Sequence, residues 1–566
     1  MKKGTVFSLI LSLVVTLLLV GLCLFVFCPA LNLQNPGVWM LAALATFVFI
    51  LVFRLLLGER DFGFVPNPTV HKRRQKDADV SFRFNIKWYL LPLGILALSA
   101  ILALSGSPLF NATRYASIRT VTESDFATDL AESVGTDSIA LMDTASAQML
   151  GDREIGSLSD VVSQFDVSYD YTQIDWGGKP IKVSALGYAG FFKWINNSAT
   201  GVRGYVTVDP VSMSASFQTC EGMKYIPSAF FFQDAWRHLW MQYPTLMLEN
   251  LHFEIDESGK PYYVVSVVEK TISLFGGKTV SGCIVLDPVT GDTVRYDLQD
   301  IPRWVDVVFD GNLICEQYNW FGAYQNGFWN SIFGKKDCKQ VTTYTISENA
   351  DEDAEDDAPI SDYGYVAKDG DIWIYTGITS VNGDSSNIGF LLANERTGES
   401  RYYVIAGADE KSAMAAAEGE VQEKRYQASF PSLINVDGYP TYIMVLKDSG
   451  GLVKLYAAVN VEQYNLVTTA ATQAECINKY KALLGIEAPT EKPSDETVTA
   501  TITIAAIKYV TIEGNTYLYL VDTDDNLYKA KAADHEAMLL LNKGDTVELV
   551  CNGNTILSCN KVANKK

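Results

Sequence analysis

The sequence predicts an α+β chain: three transmembrane helices, then repeated small α+β modules, then a small C-terminal β-barrel. Three observations carry this. Three apolar runs occupy residues 1–106, a strand, turn, strand pattern recurs between helix-like stretches further on, and alternating strands follow a Pro-containing acidic linker near the end. Alternation with period two marks half-buried strands, spacing of three or four marks helices, and about 20 consecutive apolar residues cross hydrocarbon as a helix.

Length and charge bound the rest. With 566 residues and 48% hydrophobic content, the chain can build several cores. Its formal charge of -21 is uneven: residues 1–106 hold ten Lys/Arg against four Asp/Glu, which leaves -27 for the remainder. So acidic a remainder repels nucleic-acid phosphates and anionic polymers, and attracts cations or basic partners. Nucleic acid is therefore not an expected partner.

The three spans are read at residues 5–28, 38–57 and 88–106. A signal peptide would share the basic start and apolar run of the first, but this run is long, lacks an Ala-x-Ala-like exit and precedes a second span. Pro92 falls near the start of the third, where a missing amide costs least. The loop between the second and third spans carries Arg54, Arg60, Lys72, Arg73, Arg74, Lys76, Arg83 and Lys87. Positive charge at helix ends stays cytoplasmic. The expectation is a multi-pass protein of the cell membrane, embedded in phospholipid, with a cytoplasmic N-terminus and residues 107–566 outside.

Residues 107–347 form the first external α+β region. A linker over 107–122 leads to a helix expected over 123–149, from the spacing of Phe126, Leu130, Val134, Ile139 and Met142. Strands are expected over 165–174, 181–185, 205–209, 212–218, 262–270, 282–287 and 293–296. After an acidic linker at 348–359, a second region over 360–487 repeats the pattern, with strands at 372–378, 388–394, 400–405, 441–446 and 452–459. Helices are expected over 409–420, where Asp409 and Glu410 suit an N-terminus, and over 469–484, capped by Thr469. Each would cover one face of a small sheet and leave the other for packing or recognition. A second linker, 488–496, precedes residues 497–566, whose meander of strands with a short helix over 532–541 resembles an OB-like barrel. The aromatic and basic groove of a nucleic-acid-binding barrel is missing.

Residues suited to catalysis are sparse. There are four His, no HExxH, no paired His/Cys spacing, no G-x-S-x-G elbow and no phosphate loop, so neither a metal, a cofactor nor a catalytic set is assigned. The carboxylates Asp209, Asp234, Glu254, Asp287 and Glu316 could serve acid–base chemistry only if the fold brought two together. Cys551 and Cys559 flank a turn and are the candidate disulfide. One dense run of amides and aromatics stands out: Glu316, Gln317, Tyr318, Tyr324, Gln325, Asn326, Phe328 and Asn330. Aromatic faces with short polar groups can grip an extended peptide or glycan, and the same residues can equally be buried for shape.

Several stretches between about residues 165 and 485 resemble a family of multi-span membrane proteins from Gram-positive, clostridia-like bacteria with a large external region. They include Tyr171-Thr172-Gln173-Ile174, Gly190-Phe191-Phe192-Lys193-Trp194, Leu274-Phe275-Gly276-Gly277-Lys278, Tyr324-Gln325-Asn326-Gly327-Phe328, Thr376-Gly377-Ile378-Thr379-Ser380 and Val459-Asn460-Val461-Glu462-Gln463-Tyr464. The resemblance implies no particular activity. The turns Asp287-Pro288-Val289-Thr290-Gly291 and Glu395-Arg396-Thr397-Gly398, with their flanking strands, are similar to PepSY-type modules, which implies small α+β units linked to peptidase inhibition or regulation. The expected role is a membrane-anchored scaffold, sensor or regulator that binds envelope proteins or peptides. An envelope peptidase or glycan-processing enzyme, or a protein export or assembly factor, stands as the alternative.

Overall fold

A computed structural model describes residues 3–58, 62–66, 80–84, 86–130, 141–142, 144–158, 161, 163–168, 170–344, 360–361, 363–381, 386–486, 498–512, 515–523, 526–532, 535, 538, 540–552 and 555–561. Its contacts divide it into two compact units, Met1–Tyr480 and Lys481–Lys566. The acidic linker 348–359, the linker 488–496 and most of the basic loop, residues 59–61 and 67–79, lie outside the described residues.

Helices α1 (Lys3–Phe27), α2 (Pro36–Leu56) and α3 (Leu90–Ser105) are apolar on every side and leave many Leu, Val and Phe side chains exposed. Hydrocarbon accommodates such a surface and water does not. All three are long and apolar enough to cross a membrane, over Thr5–Phe27, Pro36–Leu56 and Lys87–Ser105, so the chain fits a membrane protein. Asn35 caps α2 by accepting from the Gly37 amide at 2.9 Å, with Pro36 at the first helical position.

The turn between α1 and α2 docks on the globular region. The Leu31 amide donates to the Pro244 carbonyl at 2.6 Å, and the Trp240 indole donates to the Pro29 carbonyl at 2.8 Å. Gln34 exchanges two hydrogen bonds with the Lys270 backbone, at 2.9 and 3.2 Å. Arg237 donates to the Phe25 carbonyl at 2.9 Å, its guanidinium 4.4 Å from that residue's ring. Beyond α3, helix α4 (Pro108–Ala116) bonds back through Tyr115 to the Gly106 carbonyl, at 2.8 Å. The α1–α2 turn and the end of α3 therefore lie on the side of the globular region, while α2 ends and α3 begins on the opposite side, where the Arg54 guanidinium lies 4.7 Å from the Trp88 ring centre.

Four sheets follow. The first contains Phe165–Val167, Thr172–Asp175, Pro180–Tyr188, Val202–Asp209 and Ser214–Met223. The second is a meander of Met247–Ile255, Pro261–Ile272, Gly276–Leu286 and Thr293–Asp297. The third joins Lys339–Val341, Gly364–Lys368, Asp371–Ser380, Gly389–Asn394 and Ser400–Tyr403, and the fourth joins Gln427–Ala428, Ser432–Val436, Tyr439–Lys447, Val453–Asn460 and Val467–Ala470. Among the described residues, five further helices of eight or more residues pack among them: α5 (Thr144–Gly156), α6 (Ala235–Gln242), α7 (Gly311–Tyr324), α8 (Glu410–Gly419) and α9 (Gln473–Leu483).

Neighbouring sheets share cores, because alternate residues point to opposite faces. In strand Pro261–Ile272, Tyr263, Val265 and Val267 enter the core shared with the first sheet, while Val264 and Val268 enter the core holding α7 and part of the third sheet. In strand Asp371–Ser380, Ile374 and Ile378 face that second core, and Trp373 and Tyr375 face the fourth sheet. The middle sheets are thus covered on both faces.

Two helix expectations need correction. Thr122–Glu123 is a strand, pairing in parallel with Arg401 and Tyr402, and a short helix at Phe126–Asp129 follows; residues 131–140 lie outside the description, and α5 begins at Thr144. A vacant sheet edge outcompetes helical spacing there. Thr469 lies in strand Val467–Ala470, paired with Ala457, so the helix starts later than expected.

In the second unit, strands Val498–Ile512, Asn515–Asp522, Leu527–Lys531, Thr555–Lys561 and Thr546–Asn552 pair in a cycle that returns to its first member, one link being a single parallel pair, Lys529 with Thr555. Of the helix expected over 532–541, residues 533–534, 536–537 and 539 lie outside the description. Cys551 pairs with Ile556 and Cys559 with Leu549, and both thiols are free, so the candidate disulfide is absent. The strand register puts the two cysteines at different rungs.

Candidate functional site

A polar cluster forms where strands Thr172–Asp175 and Met247–Ile255 and the turn after Gly389–Asn394 meet the segment leading into α7. Glu254 is its hub. Fully buried, it accepts hydrogen bonds from His252 Nε2 at 2.7 Å, the Asp306 amide at 2.9 Å and the Val307 amide at 3.0 Å. His252 Nδ1 lies 2.9 Å from the Asn250 carbonyl and must donate to it, since a carbonyl only accepts. Burial pulls the imidazole pKa down, but the Glu254 hydrogen bond and charge outweigh it, and the pKa ends above its ordinary value. Both ring nitrogens are committed, which leaves His252 no lone pair for a ligand.

Two further carboxyls stand beside this pair. Asp306 Oδ2 accepts from the Asp175 amide at 2.9 Å, while Oδ1 has no partner among the described residues. Burial, then the charge of Glu254, push its carboxyl well above the usual range. Glu395 is 2% exposed, and its Oε2 likewise has no partner. Burial, then Asp310 and Glu254, raise its pKa well above the ordinary value against an opposing contribution from Lys182. The backbone at this turn is pinned, because the Val308 and Phe309 amides both donate to the Glu395 carbonyl, at 3.0 and 2.6 Å.

A cavity of about 440 Å³ opens here, lined by Asp170, Tyr171, Gln173, His252, Asp310, Tyr363, Tyr365 and Glu395 among others. Gly151 of α5 makes room for the Tyr171 hydroxyl, with which a Cβ would collide. A second cavity of about 480 Å³ shares Asn250 and Asp310 and adds Glu249, Lys278, Asn312 and Glu316. Asp310 also caps α7, accepting from the Asn312 amide at 3.1 Å.

The amide and aromatic residues singled out in the sequence divide between separate places. Glu316 lines the second cavity, 3.9 Å from Lys278. Gln317 and Tyr318 are buried, and Gln317 ties three elements together: its Oε1 accepts from Arg119 at 3.1 and 2.7 Å, and its amide donates to the Lys278 carbonyl at 2.8 Å. Tyr324 meets Tyr115 edge-on at 6.2 Å and stacks on Phe328 at 6.5 Å. Gln325 ends α7, and Asn326 and Asn330 both donate to the Lys336 carbonyl, at 3.3 and 2.9 Å. Of the carboxylates named for acid–base work, Asp209 and Asp287 accept turn amides, Asp234 caps α6, and Glu254 is the saturated hub.

No protein-family model matches the chain, and no curated protein sequence does. Among solved structures it is similar, at 10% identity and a TM-score of 0.13, to a chimera of apocarotenoid oxygenase and RPE65, over 70% of this chain and 62% of that one. The cobalt-substituted Synechocystis apocarotenoid oxygenase gives 10% identity and a TM-score of 0.14, over 71% and 65%. The chain spans less than two thirds of the length of either. Scores this low do not amount to a shared fold.

Sequence reasoning missed Asp170, Asp310, Tyr363, Tyr365 and the role of Glu395, which stood in view only as the first residue of a turn. A signal was present at Glu395, a carboxyl separated only by Asn394 from the apolar run 388–393. Nothing in one dimension brings it beside Asp310.

Proposed function

We propose that this chain is a membrane-anchored extracytoplasmic scaffold, sensor or regulatory protein that binds an envelope protein or peptide. The observation that carries the reading is the pair of cavities sharing Asn250 and Asp310, which mix carboxyls, amides and aromatic rings while the neighbouring histidine is spent on internal bonds. Sidedness rests on the eight Lys/Arg between positions 54 and 87 of the sequence, which favour the cytoplasm. Exposed Phe192, Phe231 and Phe232 support a posture on the membrane surface: Phe232 meets Phe25, at the end of α1, at 5.9 Å, and aromatic rings partition to the interface. The cyclic pairing of the last five strands supports the OB-like reading of that unit, and the hairpin positions of the Asp287 and Glu395 turns support PepSY-like modules.

The test is a photo-crosslinking side chain at Asn312, which is exposed and lines the second cavity, in intact cells. A discrete adduct is expected there and not at Lys411, an exposed position on α8. Equal labelling at both positions, or none at Asn312, would overturn the proposal.

A second reading, an envelope peptidase or glycan-processing enzyme, has one observation in its favour: Asp310 and Glu395 line the same cavity, and burial raises the Glu395 pKa well above its ordinary value, the direction a general acid needs. It demands that the purified chain cleave peptides or wall fragments and that Glu395→Gln abolish the cleavage.

A further inference from the structure

We infer that the cavity beside Glu395 receives an organic cation, the ammonium or guanidinium group of a ligand. The inference rests on the reading of that cavity as a binding site and names the chemistry it selects. Three carboxyls line it, from Asp170, Asp310 and Glu395, together with the rings of Tyr171, Tyr363 and Tyr365, and no Lys or Arg is among the lining residues. Glu395 Oε2 is the second, independent observation, a nearly inaccessible acceptor with no donor. Leaving such an acceptor bare carries an uncompensated desolvation cost, which an N–H of the ligand would recover. Tyrosine faces attract a cation within about 6 Å, and the chain already uses this chemistry, because its own Lys182 ammonium sits 5.1 Å from the Tyr365 ring centre.

The other charged groups around Glu395 are accounted for. Glu254 is saturated by three donors, His252 is balanced by Glu254, and Asp310 and Lys182 act on Glu395 with opposite sign. Burial raises the Glu395 pKa, and an arriving cation, which favours the carboxylate, opposes that shift.

The full-length chain in detergent would be titrated calorimetrically with spermidine and with acetylated, amidated Gly-Lys-Gly, Gly-Arg-Gly and Gly-norleucine-Gly. At least one cationic probe should bind about tenfold tighter than the norleucine peptide, a difference of about 1.4 kcal/mol. Glu395→Gln should remove most of that preference without lowering the thermal midpoint. Asp170→Asn, at an exposed lining position, serves as the second variant if Glu395→Gln fails to fold. Spermidine binding alone would point to free amines, and peptide binding alone to a basic segment; either supports the site. Equal binding of the norleucine peptide, an unchanged preference in the variants, tighter binding of calcium or magnesium alone, or no binding of any probe would overturn it. An adduct at Asn312 without cation binding would sink this inference and leave the proposed function standing; cation binding without an adduct would do the reverse.

Discussion

Glu410 is buried, its carboxyl accepting from the Gly377 amide at 2.7 Å, and burial raises its pKa from 4.5 to about 7. The unfolded chain ionises this group above pH 4.5 while the folded chain keeps the proton, so stability falls as pH rises from 4.5 towards 7 and levels off beyond. The loss is on the order of 3 kcal/mol. Glu410→Gln should flatten the pH dependence of the thermal midpoint across that window, and an unchanged slope would assign it elsewhere. Arg119 poses the opposite problem, a buried cation held by neutral acceptors: Gln317 Oε1, the Gly398 carbonyl and the Ser400 hydroxyl. Burial lowers its pKa to about 10, so it remains charged at neutral pH. Arg119→Met leaves Gln317 and Gly398 short of donors and should cost about 3 kcal/mol in unfolding free energy. Lysine should rescue little of this, because an ammonium cannot reproduce the planar fork. Combined with Gln317→Leu, the loss should fall short of the sum of the single changes, since the two side chains share one bonded pair.

Among the elements, strand Met247–Ile255 joins the second sheet to the segment that enters α7. That attachment runs through Glu254, whose carboxyl holds the Asp306 and Val307 amides and His252. Glu254→Ala leaves these donors bare and should destabilise by about 3–5 kcal/mol, read from denaturant unfolding with the slope unchanged. The strands themselves were legible because Tyr263, Val264 and Val265 alternate between two cores, and continuous apolar runs such as 372–375 signal burial on both faces. The start of α9 was not, because Thr469 suits a helix cap and a strand equally, and its rung opposite Ala457 chose the strand. The amide and aromatic run was legible as unusual but not as divided: helical geometry turns Gln317 and Tyr318 inward and leaves Glu316 at a cavity wall.

For the whole molecule, the governing prediction is sidedness. Asn32 lies in the turn that docks on the globular region, its amide 3.3 Å from the Thr245 carbonyl. A membrane-impermeant maleimide should label Asn32→Cys in intact cells with the native thiols replaced by Ser, and should leave Arg74→Cys unlabelled until the membrane is opened. The reverse pattern would place the acidic cavities on the cytoplasmic side and remove envelope partners from consideration. The three long apolar helices, the α+β class and the charge asymmetry were readable from the chain, because they depend on apolar length, on residue period and on counts of charge, all of which are local or additive along it. That Glu254 gathers three donors, that His252 is spent, and that Glu395 and Asp310 line one cavity was settled by the fold. Those outcomes depend on which distant segments share a water-poor space, where every hydrogen bond made or missed sets the protonation state of its neighbours, and spacing in one dimension carries no record of that.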